Sequence, residues 1–151
     1  MPEPRPATVL PAEDQLEIGT LVARLCQALD FSRPADFVEV FTDDGIYQAV
    51  SSEATGRQPR FRHVGPQELL AFATAAVEKR QGLGRHWTGD LVLESEAAGT
   101  DHARGTSYVL FVEIDADTKE RRVLISGVHE DRFVRTPDGW RVASRTVVAD
   151  I

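Results

Sequence analysis

The sequence predicts an α+β domain in which three N-terminal helices pack on one face of a long antiparallel sheet. Three observations lead there. Apolar residues recur at helical spacing in three separate segments of the first half. The second half changes to long strand-like runs joined by turn-rich connectors. No internal repeat or linker divides the 151 residues, a length that suits one compact domain.

Residues 13–30 read as the first helix, with Ile18, Leu21, Val22, Leu25, Cys26 and Leu29 in one apolar stripe. A short second helix fits 34–41, where Pro34 suits the first helical position and Phe37, Val40 and Phe41 face one way. "TDDG" then breaks the chain before a strand, "IYQAV". Residues 51–63 are polar, contain Gly56 and Pro59, and read as a loop or irregular hairpin. Pro66 opens a third helix that runs to about Arg80, with Leu69, Leu70, Ala73, Ala76 and Val77 inward and Gly82 and Gly84 ending it. Strands follow over about 85–96, 103–115, 121–135 and 140–149. The connectors "AAGTD", "DADTKE" and "TPDG" make them an antiparallel meander. Strands this long twist, so bulges are expected and alternation assigns faces only locally. Trp140, after "PDG", suits a core anchor beside a turn.

Composition narrows the function classes. A net charge of −7 argues against a general nucleic-acid binder, which needs a basic surface for phosphates, and against an anionic membrane surface. One cysteine permits no internal disulfide and fits a reducing compartment. The opening "MPEPRPATVLP" is too proline-rich for a signal peptide, and no apolar run approaches the roughly 20 residues that span a bilayer. A cytoplasmic protein is expected, with a disordered tail over 1–12 and one domain over 13–151.

Two residues raise chemistry. Asp30 ends the first helix, where the carbonyl dipoles disfavour a carboxylate. It lies four positions after Cys26 and so continues the inward face. An inward carboxylate there needs a partner. In "RHWTGDLVLES" alternation puts His86, Thr88, Asp90 and Val92 on one face of a strand. Arg85, Trp87, Gly89, Leu91 and Leu93 take the other. The polar face lines a cavity if it turns toward the helices.

The segments "RLCQALDFSRPADFVEVFTDDGIY", "GPQELLAF", "RHWTGDLVLES", "ARGTSYVLFV" and "GWRVASRTVV" resemble the SnoaL-like group of the NTF2-like superfamily, over residues 13–149. That group includes polyketide cyclases, dehydratases, a dehydrochlorinase and the small subunits of ring-hydroxylating dioxygenases. The resemblance implies a cone: a curved antiparallel sheet wrapped around three N-terminal helices, with an open pocket. It also implies that Asp30 and His86 match the aspartate–histidine pair of the dehydratases. The implied activity is that of a cofactor-independent lyase on a small hydrophobic ring substrate. His86 would act as general base and Asp30 would orient it. Tyr47 and Tyr108 are candidate hydrogen-bond donors to an enolate oxygen, and each equally fits a half-buried strand residue.

The departures from the family matter. Leu25 stands where the bile-acid dehydratase has a tyrosine, and Ala49 where ketosteroid isomerases have their base. His129 is a possible second pocket histidine. Asp131 is a possible counterpart of the cyclases' strand carboxylate, which leaves a cyclase or isomerase as an alternative. A non-catalytic ligand-binding protein or oxygenase small subunit is the other. The family's habit of pairing implies a homodimer. No cofactor or metal is expected: "HEDR" at 129–132 lacks a second histidine, and "GLGRHWTG" follows a helix rather than a strand. Cys26 lacks an evident base and reads as core. Arg57, Arg60, Arg62 and His63 form a basic run, either solvated or able to take an anionic group.

Overall fold

The computed structural model describes residues 9–96 and 101–151. Two helices, α1 (Ala12–Asp30) and α2 (Pro34–Glu39), lead into strand β1 (Phe41–Val50) and its partner β2 (Pro59–Val64). Helix α3 (Gly65–Arg80) follows, and then β3 (Gly84–Ser95), β4 (His102–Ile114), β5 (Arg121–Thr136) and β6 (Gly139–Ala149). Residues 1–8 of the expected tail and the turn residues 97–100 lie outside the described residues. Leu10, just ahead of α1, is buried against the core.

The expected all-antiparallel cone around three N-terminal helices needs correcting in three respects. The sheet is mixed: its order is β2-β1-β6-β5-β4-β3, and β1 runs parallel to β6 while the other neighbours are antiparallel. It is open, with β2 and β3 as its two edges. Only α1 and α2 precede the sheet, because α3 is inserted after the β1–β2 hairpin. The hairpin was obscured by its composition. "PRFRHV" begins with proline and alternates arginine outward, which suits an edge strand but reads as a loop. "TDDG" does not break the chain either. It lies inside β1 at a register shift between Phe41 and Ile46.

The helices cover one face of the sheet, α1 against β3 and β6, and α3 against β1 and β2. The α1 stripe is buried as read, from Ile18 to Leu29. Phe37 of α2 is fully buried and meets Phe41, Tyr47 and Phe72 ring to ring. On α3, Leu69 and Ala73 are buried but Leu70 is exposed. Trp140 anchors the other end of the core, donating its indole N–H to Asp14 Oδ1 at 3.0 Å. On β4 the inward residues are Ala103, Gly105, Ser107, Val109 and Phe111, a strict alternation that fixes which face each neighbouring strand presents.

Candidate functional site

Asp30 and His86 meet. Asp30 continues the buried stripe of α1, whose last turn carries no basic residue to offset the helix dipole. The compensation comes from β3. Asp30 Oδ2 accepts the backbone N–H of His86 at 2.9 Å, and Oδ1 lies 2.6 Å from the ring nitrogen Nδ1. Both side chains are withdrawn from solvent, at 3% exposure for Asp30 and 8% for His86. The other side of the imidazole rests on Phe111, with ring centroids 4.6 Å apart. Gly84 makes room for that ring, since a Cβ at its position would stand 2.6 Å from Phe111 Cζ.

The charges follow from this geometry. Burial pushes the Asp30 carboxyl up, but the two hydrogen bonds from His86 outweigh it, and the group ends below its ordinary value. An ionised Asp30 is an acceptor for Nδ1–H, and in the neutral ring that arrangement puts the lone pair on Nε2. Nδ1 is thus tied to Asp30, and Nε2 has no hydrogen-bond partner among the described residues.

Further polar groups share this inner face. His129 and Ser107 are cross-strand partners on β5 and β4, both buried, and His129 Nδ1 and Ser107 Oγ have no partner among the described residues. Burial, with Arg145 and His86 adding to it, holds His129 well below the usual histidine value, so it is neutral. Tyr47 projects inward from β1 among Phe37, Phe61 and Phe72. Burial pushes its phenol up to about 12, so it remains a donor. Asp131 is also inward, yet both oxygens accept from Arg145, at 2.8 Å from Nε and 2.7 Å from Nη2. The third nitrogen of Arg145, Nη1, faces Cys26 Sγ at 3.6 Å. Asp131 and Arg145 thus form a closed ion pair within the core.

Several expectations fall elsewhere. Tyr108 lies on the outer face, 62% exposed, because β4 turns only its odd-numbered residues inward. Asp90 and Val92 do not share the face of His86. Asp90 adopts φ 55° and the register shifts between Gly89 and Val92, so two residues oppose Ser107. Beyond this bulge Leu91 and Leu93 pack against the core while Val92 is exposed. The basic run is largely spoken for: Arg57 pairs with Glu53 and Glu130, Arg60 donates to the Ile151 carbonyl, and His63 stacks on Phe61. Among the described residues no group of three or more His, Cys, Asp or Glu could hold a metal ion.

Sequence reasoning passed over Arg80, a typical basic residue in the last turn of a helix. Its signal was available. Leu69, Ala73, Ala76 and Arg80 follow helical spacing along one face, the same argument that turned Asp30 inward. The Arg80 guanidinium lies over the Phe111 ring, 4.2 Å from its centroid. It also lines a cavity of about 260 Å³ with Phe72, Ala75, Ala76, Glu113 and Leu124. A second concavity, of about 420 Å³, opens on the far side of the sheet around Arg104, Glu130 and Ser144, and His86 lines neither of the two.

Comparison with known proteins accords with this architecture. The model of the SnoaL-like domain matches residues 11–146. The chain belongs to the SnoaL-like family. This SnoaL-like domain is 28% identical over 141 residues to an uncharacterised protein of Mycobacterium tuberculosis, covering 91% of this chain and 86% of the relative. An NTF2-like protein with a cystatin-like fold from Novosphingobium aromaticivorans superposes with a TM-score of 0.76 at 20% identity, over 91% of this chain and 82% of that one, and shares the fold. The beta subunit of a proposed aromatic-ring-hydroxylating dioxygenase from the same organism superposes with a TM-score of 0.75 at 25% identity, over 91% and 89% of the two chains.

Proposed function

We propose that this SnoaL-like domain is a cofactor-independent lyase of the dehydratase type, acting on a small hydrophobic ring substrate that carries a carbonyl group. The observation that carries the reading is the buried 2.6 Å contact between Asp30 and His86, with the backbone N–H of His86 as its second tie. His86 Nε2 takes a proton from the carbon beside the carbonyl. The electron pair of that C–H bond becomes the new C=C bond, and a β-hydroxyl leaves with its own pair. The imidazolium returns the proton to the departing oxygen, so that water is released. Asp30 holds the ring in the reactive tautomer and balances the positive charge that forms on it. Tyr47 supports the reading as an inward donor that stays protonated, suited to a developing enolate oxygen. His86 is favoured over Asp131 as the base because Arg145 occupies both oxygens of Asp131.

The first half-reaction can be followed without the natural substrate. 2-Tetralone in deuterated buffer exchanges its α-hydrogens when a base removes them, and proton NMR reads the loss. The wild type is expected to exceed the buffer rate. His86→Gln is expected to fall to background and Asp30→Asn to lose at least about a hundredfold, the usual weight of general-base catalysis. Wild-type rates in either variant would contradict the mechanism.

The likeness to a dioxygenase beta subunit supports a second, non-catalytic reading, because Trp87, Tyr108 and Leu110 lie exposed on the outer face of β3 and β4. Under that reading the purified protein lacks exchange activity and gains stability only with a larger partner.

A further inference from the structure

We propose that Arg80 is the anion-binding group of this site, and that the ligand is a small ring-bearing molecule whose carboxylate is held beside His86. The inference deepens the lyase reading and rests on its premise that the interior receives a ring-bearing ligand.

Arg80 lacks a carboxylate partner. Its Nη1 is buried and has no hydrogen-bond partner among the described residues. The other inward-facing guanidinium groups have carboxylates: Arg145 has Asp131, and Arg135 has Asp14. Burial holds Arg80 below the usual arginine value; the charges of Asp30 and Glu113 offset part of that, but neither bonds to it. A guanidinium stays charged and offers its donors in a fixed fork that matches a carboxylate. Nη1 is sealed from solvent, so an incoming anion would bond the remaining guanidinium donors, which meet no carboxylate among the described residues.

Its position identifies that partner. Arg80 and His86 touch the same ring, Phe111, at 4.2 Å and 4.6 Å. Arg80 also lines the cavity formed with Phe72, Ala75, Ala76, Lys79, Glu113 and Leu124; its apolar members make a wall that suits a hydrocarbon ring, Lys79 is a second cation there and Glu113 a carboxylate. A ligand with its ring against that wall would set its carboxylate on Arg80, the residue that shares the Phe111 ring with His86. Phosphate or sulfate alone would leave the apolar wall without a function.

The test compares two probes with the same ring. Isothermal titration calorimetry measures binding of 2-naphthoate and of uncharged 2-naphthamide to wild type, Arg80→Gln, Arg80→Lys and His86→Gln. Circular dichroism establishes that each variant is folded. The wild type is expected to prefer naphthoate by about tenfold or more, as a charge-assisted bidentate contact warrants. Arg80→Gln is expected to abolish the preference, Arg80→Lys to keep part of it, and His86→Gln to keep it in full. Equal affinity of the wild type for the two probes, no measurable binding of naphthoate, or an undiminished preference in Arg80→Gln would each overturn the proposal. A naphthoate preference that depends on Arg80, in a protein without α-hydrogen exchange, would leave the anion site standing and sink the lyase reading alone.

Discussion

At the residue scale, the interior is a polar cluster kept in order by pairing. Asp30 is tied to His86, and Asp131 to Arg145. His129 stands apart as a buried histidine with a free ring nitrogen. Burial depresses its titration well below the ordinary 6.5. In the unfolded chain it takes up a proton near that ordinary value, while the folded chain resists. The unfolded state therefore binds more protons below about pH 6.5, and stability falls as pH drops through that range. Urea denaturation of the wild type is expected to show a midpoint that declines from pH 8 to pH 5, and His129→Leu is expected to flatten that decline. An equal slope in the variant would place the pH dependence elsewhere. The helix stripe turned Asp30 inward; the alternation grouped His86 with Thr88 without choosing a face, and the family resemblance supplied the pairing. Arg80 obeyed the same stripe rule, but a basic residue in a last turn has a ready alternative explanation. Tyr108 was missed in the other direction, since an aromatic on a strand does not announce which face it takes.

At the element scale, β3 is where a simple pattern changes phase. His86 faces inward before the bulge, and Leu91 and Leu93 face inward after it. The device is Asp90, at φ 55°, a conformation that aspartate tolerates and β-branched residues resist. Asp90→Gly is expected to be neutral or mildly stabilising, and Asp90→Val to cost about 1–2 kcal/mol. Chemical denaturation of the two variants reads the difference, and equal stabilities would remove the bulge from this account. The expectation that such a strand would bulge was legible from its length, but the bulged residue was not. Any short polar residue between Gly89 and Val92 would have fitted the pattern. The β1–β2 hairpin was half legible: 51–63 admitted an irregular hairpin, yet the charged, proline-led edge strand gave too few apolar positions to anchor a period of two.

At the scale of the whole molecule, the order of elements was readable and their spatial arrangement less so. Helix and strand periods placed nearly every element, because long amphipathic segments announce themselves. Nothing local told β1 to lie parallel to β6, a contact between segments roughly a hundred residues apart. The resemblance to cone-shaped relatives carried the general architecture further than it should have, to a wholly antiparallel sheet. The outer face of β3 and β4 carries Trp87, at 65% exposure, opposite Leu110, with Tyr108 beside them. Such a patch on a sheet suits pairing with a second copy through a two-fold axis. Sedimentation velocity is expected to find a homodimer, and the double substitution Trp87→Glu with Leu110→Glu to produce a monomer that retains its helical signal. A wild-type monomer at micromolar concentration would contradict that assembly.

The proposed base rests on one contact, that of the Asp30 carboxylate with the His86 imidazole in the interior. Long-range proton–nitrogen NMR correlation of the His86 ring at pH 8 tests it most directly. The account predicts a single tautomer with the proton on Nδ1 and a bare Nε2, converted to a mixture in Asp30→Asn. A ring averaged between tautomers in the wild type, and unchanged by removing the Asp30 charge, would contradict it.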